Sequence, residues 1–339
     1  MEQRARVTIR DVAAAAGVSV ATVSKVINDR YGVAAATDAR VRAVIEELGY
    51  EASITAQSLR NHRTNVLGIL VADLEPFSTE LLKGAADAIR DSGFELLVYS
   101  ASGRSSDHVG WERRYLTRLS GTLIDGAVLV TPTVVDVVFD APIVAVDPHA
   151  GPSSLPTIDS DNLRGAQLAT EHLIRLGHRR IAMITGRDDL ESAQLRERGF
   201  RNAMAEARLD VDDALVVPGD YDAVTSAASA AELLALDVPP TAIFAANDVA
   251  AIAAIETATA RGLRVPEDLS VVGFDNIPES VLCQPPLTTV AQPIREMGRR
   301  AIELLIALLR GQDGTAHHVM LSTDLVVRQT TAPPPPVRR

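Results

Sequence analysis

Several acids and amides stand at positions where a parallel sheet would present them together. Asp147 follows the apolar run PIVAV, Asn247 and Asp248 follow AIFAA, and Asp275 and Asn276 follow VVGF. Ionised carboxylates accept several hydrogen bonds and a side-chain amide both donates and accepts, so a set of this kind could hold a ligand rich in hydroxyls. An Asp at a strand end is also an ordinary cap or turn former, and Asp248, directly before a helical pattern, reads as no more than that. A second group lies near the N-terminus, where Ser19 can cap the stretch VATVSKVIN. Val23, Val26 and Ile27 share its inner face, while Val20, Ala21, Ser24, Lys25 and Asn28 fall on an outer stripe roughly 140° wide. Small residues, one cation and Ser and Asn groups are what a helix seated in the DNA major groove needs, although spacing alone equally allows a plain helical hairpin.

Other chemistries lack their residues. Cys283 is the single cysteine, so no intrachain disulfide forms, and it has no recognisable base partner. Lys25 and Lys83 are the only lysines and neither follows the glycines of a phosphate loop. There is no Gly-x-Ser-x-Gly elbow, dinucleotide fingerprint or metal-ligand cluster, and His317 and His318 read as a solvated loop. Neither an enzyme nor a cofactor is expected. Trp111, the one tryptophan, reads as a packing residue in a helix.

The elements that would position the candidate residues follow from periodicity. Thr8 can cap a helix with Ile9, Val12, Ala13 and Ala16 on one face and Gly17 at its end; a third helix is expected from about Thr37 to Leu48. From Val66 onward VLGILVA, ELLVYS, DGAVLV and APIVAV read as buried strands, separated by helices near Thr79–Ser92 and Asp107–Leu119. After a break around GPSSLPTIDSDN, helices at 163–176, 193–207, 223–236 and 249–261 alternate with RIAMIT, ALVVP, TAIFAA and LSVVGF. The fold class is α/β with two doubly wound parallel sheets, and ligands bind such sheets at the carboxyl ends of the strands.

Charge divides along the same line. The 339 residues carry a formal charge of −11, which argues against nucleic acid binding over the whole surface. Residues 1–63 nevertheless hold nine Lys or Arg against seven acids, leaving −13 on the remainder. No apolar run approaches the ~20 residues needed to cross a bilayer, and Arg10 and Asp11 interrupt the place of a signal peptide. No membrane partner and a cytoplasmic location are expected.

The segment TIRDVAAAAGVSVATVSKVIN closely resembles the N-terminal signature of the LacI-type (lactose repressor) family of bacterial transcription regulators, and the match continues through EELGY and SLRNHRTNVLGIL to about residue 328. The resemblance implies a three-helix helix-turn-helix domain over 1–50, a hinge helix and linker over 51–63, and a two-lobed periplasmic-binding-protein-like (type I) effector domain over 64–330. Its N-lobe would span about 64–161 and 293–328, its C-lobe about 162–292, with LSTDLVVR as a last strand returning to the N-lobe. A disordered Pro-rich tail would occupy 331–339.

Roles follow by position. Val20, Ala21 and Lys25 match base-reading residues, and Thr22, Ser24 and Asn28 phosphate-contacting ones. Lys25 stands where Arg is common and lacks its bidentate fork. Ala34 replaces a capping Ser, which costs on the order of 1 kcal/mol unless Thr37 takes over. Residues 53–60, SITAQSLR, resemble the hinge helix, which is marginal alone and expected to form when two copies meet on DNA; Leu59 matches the minor-groove wedge, with Ala56 one turn earlier. Ala52 replaces a proline often found at the hinge entry. Arg196 of QLRERGF falls on the effector-binding arginine, Asp275 and Asn247 on further effector positions, and Asp147 on a fourth. Tyr221 matches an aromatic that stacks on the effector, Phe77 an aromatic at the first strand end, and Ser78 replaces a second aromatic of purine-binding members, favouring a sugar or polyol. The implied protein is a homodimeric repressor on a near-palindromic operator, its affinity set by a sugar-like effector, since the tail is no leucine heptad for a tetramer. A sugar-transport protein shares the two-lobed body but has no use for residues 1–60, and an enzyme acting on the cleft ligand finds no catalytic motif.

Overall fold

The structure is a computed structural model and describes residues 7–27, 30–50, 63–101, 110–119, 123–133, 139–148, 155–312 and 318–336. The chain separates into two units, residues 1–64 and 65–339. The first holds α1 (Ile9–Ala16), α2 (Val20–Ile27) and α3 (Ala35–Leu48). At the start of α1 the Thr8 amide and hydroxyl donate to Asp11 Oδ2 at 2.8 and 2.7 Å. Gly17 ends α1 at φ 64°, and Ser19 Oγ accepts from the Thr22 amide at 3.1 Å to open α2. Helices of eight residues do not hold themselves in water. They are held by a core of Val12, Ala13, Ala16, Val23, Val26 and Val41. The third helix starts at Ala35, two residues before Thr37, and Ala34 supplies no side-chain cap, so Thr37 does not compensate for the missing Ser.

The second unit contains two six-stranded sheets. The first orders its strands β11-β5-β4-β3-β1-β2, all parallel, where β1 is Val66–Val71, β2 Glu95–Ser100, β3 Gly126–Val130, β4 Ile143–Val146, β5 Thr157–Ser160 and β11 His318–Leu321. The second orders β12-β10-β9-β8-β6-β7, where β6 is Ile181–Thr185, β7 Val216–Pro218, β8 Ala242–Ala245, β9 Ser270–Asp275, β10 Thr288–Ala291 and β12 Asp324–Val326; only the β10–β12 pair is antiparallel. Helices α4 (Pro76–Ile89), α5 (Trp111–Leu119) and α11 (Ile294–Leu309) pack on the first sheet. On the second lie α6 (Asn162–Arg175), α7 (Glu191–Glu206), α8 (Ala223–Leu234) and α9 (Asp248–Ala260), with the short α10 (Glu279–Leu282) after β9. The expected alternation is therefore present, and no described helix is long and apolar enough to cross a membrane.

Two helices of the N-lobe meet backbone to backbone. A Cβ added to Gly84 on α4 would stand 1.8 Å from the Arg295 carbonyl oxygen, and one on Gly298 of α11 would stand 2.1 Å from that of Leu81. Beneath this crossing Leu81, Ala85, Met297, Ala301 and Leu305 fill the core against β1, β3 and β4.

The C-terminal segment departs from expectation. LSTDLVVR is not one strand returning to the N-lobe: β11 extends the first sheet beside β5, and β12 then pairs with β10 of the second. The chain thus passes between the lobes three times, after β5, after β10 and after β11. His318 is a strand residue whose Nδ1 lies 2.6 Å from Thr157 Oγ1, whereas His317 lies outside the described residues. The tail, expected disordered from 331, is docked on the C-lobe as far as it is described. Thr330 exchanges bonds with Val271, the Ala332 amide donates to Ser270 Oγ, His178 Nε2 lies 2.9 Å from the Ala332 carbonyl, and His172 Nε2 lies 3.0 Å from Thr331 Oγ1. Proline-rich composition signalled disorder, but the preceding Thr-Thr-Ala satisfies buried polar groups of the lobe and holds the segment down. Strands β5 and β10, short and rich in Thr and Ser, had no apolar run to announce them.

Candidate functional site

Between the two sheets, strand ends from both lobes enclose a cavity of about 730 Å³. Phe77, Asp147, Arg196, Tyr221, Asn247 and Asp275 all line it. Phe77 sits in the first turn of α4, Asp147 follows β4, Arg196 projects from α7, Tyr221 lies between β7 and α8, Asn247 follows β8 and Asp275 ends β9. Ser78 is buried in α4 and is not part of the cavity wall.

Arg196, 3% exposed, organises the floor. Its Nε donates to Asn162 Oδ1 at 2.8 Å, and its Nη1 donates to the Ala246 carbonyl at 2.5 Å and faces Asp275 Oδ1 at 3.5 Å. The guanidinium lies 3.8 Å from the Phe274 ring centroid and 5.5 Å from that of Tyr221, a cation–π arrangement on both. Asp275, held at φ 113°, also accepts from Gln292 Nε2 at 2.6 Å. Asn247 is the true cap of α9, its Oδ1 accepting from the Ala250 amide at 2.8 Å. Asp248 is not the cap expected of it: wholly buried, it accepts from the Ile277 amide at 2.9 Å and from the Thr289 hydroxyl.

Tyr221 adopts φ 60°, and its ring lies over Gly186, where a Cβ would fall 2.2 Å from Cζ. Backbone held in this region by a non-Gly residue is strain, and Thr131, Asp147, Asp220 and Asp275 around the same cavity share it. The Tyr221 hydroxyl is buried without a hydrogen-bond partner of good geometry, and the neighbouring Ser192 side chain pulls its pKa down.

The site is rich in acid. Burial pushes Asp275 up to about 6 against the pull of Arg196 and the Gln292 hydrogen bond, with Asp147 adding repulsion. Burial likewise raises Asp147, opposed by Arg196, and raises Asp159 to about 6, with Asp147 as the neighbouring charge. Asp248 is raised well above the usual range by burial and by Asp275. At the mouth, Glu75 is reached by solvent yet crowded by the cleft walls, and that crowding, then Asp275 and Asp73, raises it to about 7. Among the residues that line the cavity, the acids Asp73, Glu75, Asp147, Asp220, Asp222 and Asp275 outnumber Arg114, Arg187 and Arg196, so the wall accepts hydrogen bonds from hydroxyls and disfavours anions. The burial also raises the Tyr221 phenol to about 12, so it stays a neutral donor.

Sequence reasoning missed Gln292, Asn162 and Glu75. Asn162 follows the unrecognised strand β5 and Gln292 follows β10, so no apolar run marked either as a strand-end residue. Trp111 packs in the core with Leu70 and Leu129 as expected, but its remaining surface also lines the cavity.

In the first unit, Val20, Ala21 and Lys25 are exposed and Thr22 and Ser24 half-buried on the outer side of α2, opposite buried Val23 and Val26. The Thr22 hydroxyl lies 2.9 Å from that of Ser19. Arg42 braces the helix from behind, Nη2 donating to the Val26 carbonyl at 3.3 Å. Asn28, Ala56 and Leu59 lie outside the described residues.

Two family models match, one for bacterial regulatory proteins of the lacI family over residues 8–53 and one for a periplasmic binding protein-like domain over residues 170–331. Similar curated proteins include the HTH-type transcriptional repressor PurR of Photobacterium profundum, 34% identical over 95% of this chain and 98% of its own length. The HTH-type transcriptional regulator DegA of Bacillus subtilis is 35% identical over 97% and 99%. Among solved structures, the transcriptional regulator CelR–cellobiose complex is 34% identical with TM-score 0.70 over 96% of this chain and all of that one. The lac repressor dimer bound to operator and the anti-inducer ONPF is 28% identical with TM-score 0.84 over 97% of this chain and all of that one. An exposed helix-turn-helix face, two parallel-sheet lobes with a cleft between them, and relatives matched end to end place the chain in the lacI family of bacterial regulatory proteins, as a DNA-binding transcriptional repressor.

Proposed function

We propose that the protein binds a near-palindromic operator as a homodimer in the cytoplasm and that a neutral sugar or sugar derivative in the cleft sets its operator affinity, without catalysis and without a cofactor. The observation that carries the effector reading is the Tyr221 hydroxyl, buried and unpartnered beside the Arg196–Asp275 pair. A buried donor left unsatisfied costs about 1–3 kcal/mol, and a hydroxyl-bearing ligand would relieve it. Phe77, Asp147, Arg196, Asn247 and Asp275 complete the contact set. The surrounding carboxylates favour a neutral polyol over a phosphorylated one, in line with cellobiose in the CelR complex. On the DNA side, Val20, Ala21 and Lys25 read base edges, Thr22, Ser24 and Asn28 hold phosphates, and Leu59 with Ala56 enters the minor groove from the hinge helix. Ligand and operator are then linked reciprocally.

A thermal-shift screen of the full-length protein with sugars, nucleosides and their phosphates tests this. A ligand at 100 times its dissociation constant adds about 2.7 kcal/mol to stability. Neutral sugars should raise Tm and shift operator affinity. Stabilisation by nucleosides or phosphates alone would overturn the sugar reading, and a bound sugar that left operator affinity unchanged would overturn the linkage.

A further inference from the structure

The groups that hold the C-terminal segment form a clasp at the amino ends of the C-lobe strands, opposite the cleft. Thr330 is paired with β9 in both directions: its carbonyl accepts from the Val271 amide at 2.8 Å, and its hydroxyl donates to the Val271 carbonyl at 2.6 Å. The Thr288 amide, at the start of β10, donates to the same hydroxyl oxygen at 2.9 Å. Pro334 then packs over Gly177, where a Cβ would fall 3.4 Å from its Cδ. The pin of the clasp is His178, 1% exposed. The Ala332 carbonyl, 2.9 Å from Nε2, can only accept, so Nε2 carries the ring proton. Nδ1 must then accept, and the Thr241 hydroxyl stands 2.9 Å from it. Ser270 Oγ completes the circuit, accepting from the Ala332 amide and donating to the Ala332 carbonyl, both at 3.0 Å. A neutral imidazole satisfies both of its nitrogens here.

An imidazolium does not fit the same place. A second ring proton on Nδ1 would turn the Thr241 hydroxyl away, towards the Arg180 carbonyl at 3.4 Å, and would put a charge where water does not reach. The nearby free charges have the same sign. Helix α6 brings His172 and Arg175, and Arg179 and Arg180 follow His178 in the chain. The acids on the surrounding segments are engaged or outside: Glu171 pairs with Arg164, Asp212 with Arg180 and Asp268 with Arg264, while Asp237 and Glu267 are exposed. Residues 329–336 carry no charge. Burial lowers the His178 pKa against the pull of the Ala332 carbonyl, and burial, Arg175 and His178 together lower that of His172. His172 repeats the clasp in a half-buried position, its Nε2 3.0 Å from Thr331 Oγ1. The segment also reaches the cleft from behind. Arg328 Nη2 donates to Asn276 Oδ1 at 2.5 Å, and Asn276, at φ 59°, directly follows Asp275.

We propose that residues 328–334 form a pH-sensitive strap: neutral His178, backed by His172, holds the C-terminal segment on the C-lobe, and the imidazolium releases it together with the Arg328 brace on Asn276. The proton balance has one sign. Once released, the imidazoles return to their ordinary value near 6.5, so the released form binds more protons and gains on the docked form as pH falls below that value. The strap is closed at neutral pH and opens in acid, whatever the effector is.

The test is amide hydrogen exchange of the full-length protein at pH 7.5 and 5.5, corrected for the intrinsic rate at each pH. Val271, Thr288 and Ala332 report on the strap, because their amides are bonded across the clasp, and Ile243 in the central strand β8 is the reference. At pH 5.5 the protection of the three reporters should fall about tenfold relative to Ile243. His178→Gln keeps a donor for the Ala332 carbonyl but does not titrate, so it should hold that protection at both pH values. Imidazole resonances of the wild type give a second measurement, in which His178 should titrate below its ordinary value. Unchanged protection at pH 5.5, an equal loss in His178→Gln, or a wild-type His178 that titrates at or above its ordinary value would overturn the strap. Should His178→Gln not fold, wild-type exchange and titration decide between the same outcomes.

Discussion

Gln292 is bonded to Asp275: its Nε2 donates to Asp275 Oδ1 at 2.6 Å, and its Oε1 accepts from the Ser160 hydroxyl. Ser160 ends β5 at the first passage between lobes and Gln292 follows β10 at the second, so both passages are tied to an acid that faces the cleft. At the third, Thr323 Oγ1 donates to the Asp161 carbonyl at 3.2 Å. Gln292→Leu should strand Ser160 and remove a donor from Asp275, lowering stability by about 1–3 kcal/mol. Effector affinity should fall with it, and chemical denaturation together with calorimetry checks both. Wild-type affinity in a folded variant would show that the bond does not position Asp275.

Tyr221→Phe removes the unpartnered hydroxyl while keeping the ring over Gly186. The ligand-free protein should be unchanged or more stable by on the order of 1 kcal/mol, and effector affinity should fall about tenfold. A loss of stability in the ligand-free protein would mean that the hydroxyl already has a partner.

Asp275 keeps its proton to about pH 6 in the folded protein, whereas an unfolded aspartate releases it near 4. The folded state therefore binds more protons in that window, and the stability this group contributes is lost as pH rises from about 4 through 6. Asp159, raised to about 6, and Glu75, raised to about 7, act in the same sense. His172 and His178, lowered by burial, act oppositely below about pH 6.5. Asp275→Asn should flatten the pH dependence of stability between about pH 4 and 6, and at pH 7.5 it leaves the buried Arg196 guanidinium without that carboxylate, so no gain in stability is expected there. Thermal unfolding across that range measures it. Effector affinity in the wild type should rise from pH 5 to 7 as Asp275 ionises, and Asp275→Asn should flatten that rise.

Gly84→Ala places a methyl against the Arg295 carbonyl, with backbone rather than a movable side chain in the way. Helices α4 and α11 would have to separate, at a cost of about 3 kcal/mol or more. Denaturant unfolding should show the loss, and Ala85→Gly, one residue along, should cost about 2 kcal/mol, helix propensity and one buried methyl together.

Lys25→Ala should weaken operator binding in a way that separates its two possible roles. A base-reading lysine costs about 1–3 kcal/mol on the cognate operator and little on other sequences. A phosphate contact would weaken binding to all sequences alike and reduce the salt slope by about 1. Fluorescence anisotropy over a salt series distinguishes them.

The sequence alone determined the N-terminal helices and the alternating strands and helices, because both rest on local periodicity and local caps: Thr8, Gly17 and Ser19 stop and start helices within a few residues of themselves, while the choice of a helix-turn-helix over a plain hairpin rested on the resemblance of the whole segment to the lacI family. Asp147, Asn247 and Asp275 were legible as candidates because each directly follows an apolar run. Gln292 and Asn162 were not, since β5 and β10 are short and polar and owe their place to neighbours far along the chain. Asp248 was misread for the same reason: a local rule assigned it to a cap, and only the fold brought Thr289 and Ile277 to it. The C-terminal segment shows the division most plainly. Its composition predicts a strand and a loose tail, but which sheet each piece joins depends on open edges and unpaired polar groups that exist only once the lobes have formed.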